Sequence, residues 1–322
     1  MMSRRILVPL LLGVATAALL LGQDQLSNWR PEKLGAPGLP NAYRLHPRVI
    51  SGGQPAGDEA FATLKELGVK TVISVDGARP EVELAKKYGL RYVHLPHGYD
   101  GVPDERAREL AKAVRDLPGL VYIHCHHGRH RSPAAAAVAC VAAGLLAPEQ
   151  ALSVLMAAGT SENYCGLYQS AQAARRLDDK LLDELRVEFP ETVKVPPIAD
   201  AMVQIEHTHD HLKQFAGGGW RHLEKQPDLE PAHEALLLKE HYRELARTED
   251  VQKQSAAFRQ LLAESERTAE SLEVLLNDWK TAGRPEPAPA SITKTFTAAS
   301  QHCATCHQKF RDVPLTEKRT RR

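Results

Sequence analysis

The residues with the clearest chemical potential are Cys125 and Arg131, which bound a short loop of histidine, glycine and arginine. Residues 119–123, just before the loop, are β-branched and aromatic, which predicts a buried strand that ends near the cysteine. After the loop, Ser132 and Pro133 open an alanine-rich run that ends at residue 143. This run predicts a helix with proline in its first turn. The sequence therefore predicts a cysteine in a tight strand-to-helix loop.

Such a loop is suited to binding an oxyanion. The backbone N–H groups of residues 126–131 can curl around a tetrahedral anion, and the following helix points its positive end at it. Arg131 adds a planar fork for two oxygens of the anion. The same groups would stabilise a thiolate at Cys125. We therefore expect phosphate to bind here and Cys125 to attack it, with the candidate phosphate-binding residues being His126, His127, Gly128, Arg129 and His130.

The three histidines of the loop resemble a metal-ligand cluster in composition. Backbone that faces an anion sends its side chains outward, however, so we expect His126, His127 and His130 to add positive potential rather than to bind a metal.

The run from His124 to Ser132 resembles the signature of the cysteine-dependent protein tyrosine phosphatases, which is His-Cys, five residues, Arg, then Ser or Thr. It is most similar to their small dual-specificity-like branch, and the resemblance covers roughly residues 40–175. It implies that Cys125 is the nucleophile and forms a phosphocysteine, that Arg131 clamps the phosphate, and that Ser132 helps the thiolate to leave. The implied substrate is a phosphorylated protein or a small phosphomonoester.

The resemblance also implies a general acid that protonates the leaving alcohol. Asp100 is the candidate, because it follows a predicted strand and precedes a predicted helix, and Asp104 is its rival. A rhodanese-like sulfurtransferase or a catalytically silent phosphate binder is the alternative to a phosphatase. The rhodanese loop is usually shorter, and an arginine six residues after the cysteine favours phosphoryl chemistry.

The elements around the loop predict an α/β fold. Strands that alternate with helices indicate a largely parallel sheet covered by helices on both faces. Such sheets place ligand loops at the carboxyl ends of their strands, where Asp100 and Cys125 fall. We predict this phosphatase-like domain over residues 48–189. Its expected strands lie near residues 48–53, 70–75, 90–95 and 119–123, and its expected helices at 58–67, 80–88, 103–116, 133–143, 148–158 and 167–187.

Composition and the N-terminal residues suggest where the protein works. The 322 residues and 43% hydrophobic content fit two domains, and the formal charge of +1 argues against a general nucleic-acid binder. Residues 1–22 combine a charged start with an uncharged apolar core, which predicts a signal peptide or, if uncleaved, a membrane anchor. We therefore expect an exported protein, periplasmic or anchored to the membrane facing the periplasm. Residues 23–47, rich in proline, glycine and polar residues, predict a linker.

A second domain is predicted after three prolines within residues 190–197, which mark a boundary because they forbid a continuous helix. Residues 198–313 carry four stretches with apolar residues at helical spacing, which predicts an all-α four-helix bundle. Residues 314–322 are expected to be a solvated basic tail. Cys140 and Cys165 could pair in an exported protein, although Cys140 is more simply a small buried apolar residue.

The last predicted helix carries Cys303, Cys306 and His307 in the attachment pattern of c-type haem. Two thiols at this spacing reach the two vinyl groups from one helix face, and the histidine becomes an axial ligand. A redox Cys-x-x-Cys pair or half of a zinc site would not need the histidine, and the sequence has no second Cys pair. The pattern therefore predicts one covalent haem c.

A haem motif at the end of four helices resembles cytochrome c′ and its relatives over about residues 197–313. The resemblance implies that Arg311, four residues after His307, lies near the haem. Met202 and His209 both lie on the inward face of the first predicted helix. The sixth iron ligand is therefore Met202, His209 or no protein group.

Two classes of function follow. The first is a phosphomonoester hydrolase with a haem domain that has a redox or gas-sensing role. The second is mainly a c-type cytochrome, transferring electrons to a redox partner or binding a gas, with a silent phosphate-binding or rhodanese-like domain. The two motifs in one chain also suggest a third hypothesis, in which the haem domain regulates the hydrolase.

Overall fold

A computed structural model describes residues 29–224 and 226–320. Its N-terminal region is a mixed six-stranded sheet in the order β1-β2-β3-β6-β4-β5. The strands β3, β6, β4 and β5 run parallel, whereas β1 and β2 add an antiparallel edge. β6 therefore lies inside the parallel part. The strands are β1 Glu32–Lys33, β2 Tyr43–His46, β3 Val49–Gly53, β4 Val69–Ser74, β5 Arg91–His94 and β6 Leu120–Cys125.

Helices cover both faces of this sheet, because the parallel strands are apolar on both sides. One core lies beneath α1 and α2 and includes Phe61 and Leu64. The other lies beneath α3 to α6 and includes the alanine-rich α4, all of whose residues are buried. The helices of this region are α1 Gly57–Glu66, α2 Val82–Lys87, α3 Asp104–Asp116, α4 Arg131–Ala142, α5 Ala151–Ala158, α6 Cys165–Ala173 and α7 Asp179–Glu184.

Two expectations about this region are corrected by the structure. Within the predicted linker, residues 32–46 contain β1 and β2, and Leu45 of β2 is buried, so this stretch belongs to the sheet and makes it mixed. The single helix expected over residues 167–187 is two helices, α6 and α7. Asp178 begins the second one, since its side chain accepts hydrogen bonds from the N–H groups of Lys180 and Leu181.

The C-terminal region is helical and has its own core. Four long helices share it: α8 Pro197–Gly217, α9 Pro231–Arg247, α11 Ala256–Thr281 and α12 Ala290–Cys306, with the short α10 Glu249–Gln252 between α9 and α11. Trp220, Phe215 and Leu238 lie in this core, nearly inaccessible to solvent. At its end, α12 continues into a π-helical turn, His307–Arg311. Such turns are rare and frequent at functional sites.

The predicted solvated tail is also corrected, because residues 315–320 form the helix α13 Leu315–Thr320, which packs on the α/β region. Leu315 N–H donates to the Asp100 carbonyl at 3.0 Å, and Thr316 Oγ1 donates to Gln169 Oε1 at 3.0 Å. None of the helices among the described residues has both the length and the apolar character needed to cross a membrane. The predicted signal peptide or anchor at residues 1–22 lies outside the described residues.

Candidate functional site

Residues outside the loop between β6 and α4 hold it in place by donating hydrogen bonds to its carbonyl groups. The carbonyl of His126 accepts from Gln54 N–H at 3.0 Å, that of Gly128 from Asn41 Nδ2 at 3.0 Å, and that of Arg129 from Thr160 Oγ1 at 2.6 Å. In a trans peptide the N–H points opposite to the C=O. These bonds therefore turn the amide groups of the next residues away from the outer partners and into the loop.

Several of those amides lack an acceptor among the described residues. They are the N–H groups of residues 127–130. Gly128 makes the close turn, with φ +70°, and a side chain there would overlap the backbone of Gly52 and Gly53. Unpaired amides are uncommon in a folded chain. A ring of them at the start of a helix is an anion-binding cradle.

Cys125 lies at the end of β6, buried beneath this loop, with 3% of its surface exposed. Its Sγ is 3.3 Å from the Ser132 hydroxyl, and Ser132 Oγ donates to the Gly52 carbonyl at 2.9 Å. Because its O–H group donates to the Gly52 carbonyl, the Ser132 hydroxyl accepts a hydrogen bond from the Cys125 thiol. A thiolate would instead require the hydroxyl to turn and donate to sulfur.

Arg131 is held by a buried carboxylate that sequence reasoning missed. Its Nη2 donates to Asp76 Oδ2 at 3.0 Å, and the same oxygen accepts from His126 N–H at 2.6 Å. Burial raises the pKa of Asp76, but the charge of Arg131 and hydrogen bonds from the amides of Ala78 and His126 outweigh it and lower the pKa to about 2. Asp76 is thus a carboxylate that fixes both the guanidinium and the loop.

The remaining edge of the guanidinium is available for a ligand. Arg131 Nε is buried and has no hydrogen-bond partner among the described residues. A buried donor left without an acceptor costs roughly 1–3 kcal/mol. An oxyanion in the loop would remove that cost.

Tyr99 connects the two regions of the chain. Its ring lies between two guanidinium groups, with Arg131 Cζ 4.5 Å and Arg311 Cζ 4.0 Å from the ring centroid. Arg311 also donates to the hydroxyl of Tyr164 at 3.4 Å, and the rings of Tyr99 and Tyr164 lie 4.9 Å apart. The predicted haem-side arginine therefore contacts the same tyrosine ring as Arg131 of the cysteine loop.

The two candidates for the general acid have different surroundings. Asp100 Oδ2 lies 2.8 Å from Lys318 Nζ of α13. Asp104 is the first residue of α3, and both aspartates line a cavity of about 790 Å³ beside Leu315 and Thr316. A general acid must come within hydrogen-bond reach of the leaving group. The Asp100 side chain would first have to leave its contact with Lys318.

The histidines around the cysteine differ in environment. His124 is buried and hydrogen-bonded to the Tyr92 hydroxyl at 2.6 Å, and burial lowers its pKa to about 4. Burial also lowers the pKa of His130 to about 4, helped by the neighbouring cationic side chains. His126 and His127 point outward, toward carboxylates of α8. His130 is therefore a neutral group and not a source of positive potential at neutral pH.

The predicted haem attachment residues lie at the end of α12 beside the helical core. Cys303 Sγ is 3.3 Å from the Tyr242 hydroxyl, and Cys306 packs against the core. Burial raises the pKa of both thiols, that of Cys306 to about 11. Burial and the charge of Arg311 lower the pKa of His307 to about 4, which leaves a neutral imidazole. The donor set of two thiols and one neutral imidazole fits a covalently attached haem.

His307 and His209 both line a cavity of about 560 Å³. Arg311 and, from the α/β region, Tyr164 line it as well. His209 accepts or donates a 2.9 Å hydrogen bond with Ser300 and stacks on Phe296. Met202, the other candidate for the sixth ligand, packs against the helical core instead. Of the two, His209 is the one that faces the cavity.

Several solved structures are similar to about half of this chain. The chain is 22% identical to P. aeruginosa TpbA, over 48% of this chain and 95% of that one, with a TM-score of 0.40. A TpbA variant in complex with pTyr is 21% identical, over 46% and 91% of the chains, with a TM-score of 0.40. A DUF442 protein of Shewanella putrefaciens CN-32, named as a candidate phosphatase, is 19% identical over 44% and 96%, with a TM-score of 0.37. The chain matches no protein-family model, and no curated protein is similar to it in sequence.

Proposed function

We propose that the α/β region hydrolyses phosphomonoesters through Cys125, in the manner of the tyrosine and dual-specificity phosphatases. The observation that carries this proposal is the set of unpaired donors in the loop that follows Cys125. The amides of residues 127–130 and Arg131 Nε lack acceptors among the described residues. A phosphoryl group provides acceptors for all of them at once.

In the proposed reaction the Cys125 thiolate attacks phosphorus while the bond to the leaving alcohol breaks. Arg131 and the loop amides stabilise the charge on the equatorial oxygens, and the alcohol takes a proton from the general acid, for which Asp100 stays the candidate and Asp104 the rival. Water then attacks the phosphocysteine and releases phosphate. In that step the Ser132 hydroxyl, 3.3 Å from the sulfur, donates to the departing thiolate.

The test is phosphate release by the purified full chain from an aryl phosphate, a phosphotyrosine peptide, a phosphoserine peptide and a small sugar or inositol phosphate. Cys125→Ser should abolish release, whereas Cys165→Ser, which alters an exposed thiol outside the loop, should retain it. Equal activity of the wild type and Cys125→Ser would refute the mechanism. Thiocyanate formation from thiosulfate and cyanide, without phosphate release, would favour the rhodanese-like alternative.

We also propose that the helical region binds one c-type haem, with the four long helices forming a cytochrome c′-like bundle. Cys303 and Cys306 would form the thioether bonds, His307 would bind iron on one side, and His209 would face it from the other. When bound, haem would supply redox chemistry or gas binding. The cavity lined by both histidines supports this reading. Because haem attachment of this kind follows export, we propose a periplasmic location.

Haem attachment is tested by expression with the haem-attachment machinery. The expected result is a haem stain that survives denaturing electrophoresis and is lost in Cys303→Ser/Cys306→Ser. A haem stain that disappears from the denatured wild type would refute covalent attachment. Spectra of the reduced protein with and without carbon monoxide would show whether the iron has an open side. Fractionation of the expressing cells tests the location.

The contact of Arg311 and Arg131 with the same Tyr99 ring supports regulation of the hydrolase by the haem domain. Arg311 is four residues from His307, so a change at the iron that shifts this turn would move the ring beside the phosphate clamp. Turnover should then differ between the ferric, ferrous and carbon monoxide-bound forms. Equal turnover in all three would remove the proposal.

A further inference from the structure

The outward side of the phosphate-binding loop meets helix α8 at four potential metal ligands. His126 Nε2 lies 4.0 Å from Asp210 Oδ2, and His127 Nε2 lies 3.5 Å from Glu206 Oε1. The imidazole rings of His126 and His127 are 4.2 Å apart, centre to centre. One ligand atom from each of His126, His127 and Asp210 lies within 4.8 Å of the other two.

The two nitrogen–oxygen separations, 4.0 and 3.5 Å, are longer than a typical hydrogen bond and near the distance between two ligands of one metal ion. A hydrogen bond between nitrogen and oxygen spans about 2.7–3.2 Å. Ligands held tetrahedrally at about 2.1 Å from a zinc ion are about 3.4 Å from one another. A small inward movement of the side chains would complete the coordination.

The chain brings the ligands together by simple means. His126 and His127 are consecutive, and their side chains point outward because the loop's amides point inward. Glu206 and Asp210 are four residues apart on α8, so they lie on the same face of the helix. Two imidazoles and a carboxylate are a donor set that divalent transition metals prefer, and zinc is the representative ion.

We propose that His126, His127 and Asp210 bind a divalent transition metal such as Zn²⁺, with Glu206 as a fourth ligand. The ion would fasten α8 to the phosphate-binding loop. This differs from the expectation from the sequence, in which His126 and His127 add positive potential rather than bind a metal. The missing ligands could not be found near them in sequence, because they come from the other region of the chain.

The test is equilibrium dialysis of the full-length, haem-loaded protein against ZnCl₂, with zinc and iron counted by mass spectrometry. Asp210→Asn should raise the zinc dissociation constant at least about tenfold, the lower end of what even outer-shell changes cost. Glu206→Gln should raise it less. The matched control is Asp200→Asn, an exposed aspartate on the same helix, which should leave zinc binding unchanged. Circular dichroism verifies that each variant is folded.

Zinc binding by Asp210→Asn equal to that of the wild type would overturn the proposal, as would a wild type that takes up no zinc. So would loss of zinc in Cys125→Ser with retention in Asp210→Asn, because the ion would then sit on the thiolate. The readout does not involve phosphate release. A chain that binds zinc without hydrolysing phosphate esters refutes only the proposed hydrolase, and an active hydrolase that takes up no zinc on dialysis refutes only the metal site.

Discussion

The buried carboxylate of Asp76 offers a quantitative test of how the site is held. The change is Asp76→Asn, which keeps the shape but removes the charge beside Arg131. The pKa of Asp76 is about 2 in the folded chain, against 3.8 for an unperturbed aspartate. At 1.36 kcal/mol per pKa unit, this difference corresponds to about 2 kcal/mol of stability. Because the group is only 3% exposed, solvent screening removes little of this value.

The sign of the pH dependence follows from the lowered pKa. A depressed carboxyl pKa stabilises the folded chain fully above pH 3.8, and the contribution is lost as the pH falls from there toward 2. Asp76→Asn should therefore reduce the free energy of unfolding by about 2 kcal/mol at pH 7, and the gap to the wild type should narrow as the pH falls below 3.8. Urea unfolding followed by circular dichroism at pH 7 and at pH 2.5 measures the free energy of unfolding of both proteins.

The control for this experiment is Asp58→Asn, which alters an exposed carboxylate paired with Lys87 on the same region. It should change stability far less, because exposed ion pairs contribute little. A stability loss for Asp76→Asn no larger than that of the control would refute the argument. A difference in stability between the wild type and Asp76→Asn that stays constant from pH 7 to pH 2.5 would also refute it.

Three further predictions concern the acid, the link between the regions and the haem. Asp100→Asn should slow hydrolysis of alkyl phosphates about 100-fold, since their leaving group needs a proton, but that of para-nitrophenyl phosphate much less; equal losses would exclude Asp100 as the acid. Arg311→Ala removes a cation–π contact with Tyr99 worth about 0.5–2 kcal/mol. Because the same ring contacts Arg131, inhibition of the hydrolase by inorganic phosphate should weaken several-fold. An unchanged inhibition constant would contradict this. His209→Ala should change the visible spectrum of the haem-loaded protein while Met202→Ala leaves it unchanged, and the reverse would assign Met202 as the ligand.

Local patterns made the cysteine loop predictable from the sequence. The strand, the loop and the alanine-rich helix are consecutive, so the run that ends at Cys125 and the helix that begins at Arg131 are visible without knowledge of the fold. Asp76 is different, because 50 residues separate it from His126, with which it bonds. Only the pairing of β4 with β6 brings its strand beside the loop. An aspartate directly after a buried parallel strand was the signal that could have identified it.

Contacts between the two regions could not be predicted, because the sequence pattern of each helix shows which face is apolar but not what lies beyond it. Glu206 and Asp210 look like ordinary polar positions on α8. Arg311 was expected near the haem on resemblance alone, and its contact with Tyr99 depends on where α12 ends relative to the sheet. The short strands β1 and β2 escaped prediction because they have few apolar residues to alternate.

We expect access to Cys125 to depend on how firmly α8 rests on the loop, because α8 contacts the two residues that follow this cysteine. Without a metal, the contact between them includes two pairs of an imidazole and a carboxylate, with 25–52% of the side chain exposed on the histidines and 35–39% on the carboxylates. Pairs so exposed contribute at most about 1 kcal/mol each. Breaking both pairs therefore lowers the equilibrium constant for the contact between α8 and the loop by less than about 30-fold. A phosphoryl group bound by several charge-assisted hydrogen bonds can offset that cost. Bound zinc would make the separation of α8 from the loop far more costly, so we expect zinc to reduce phosphate release by the wild type more than by Asp210→Asn.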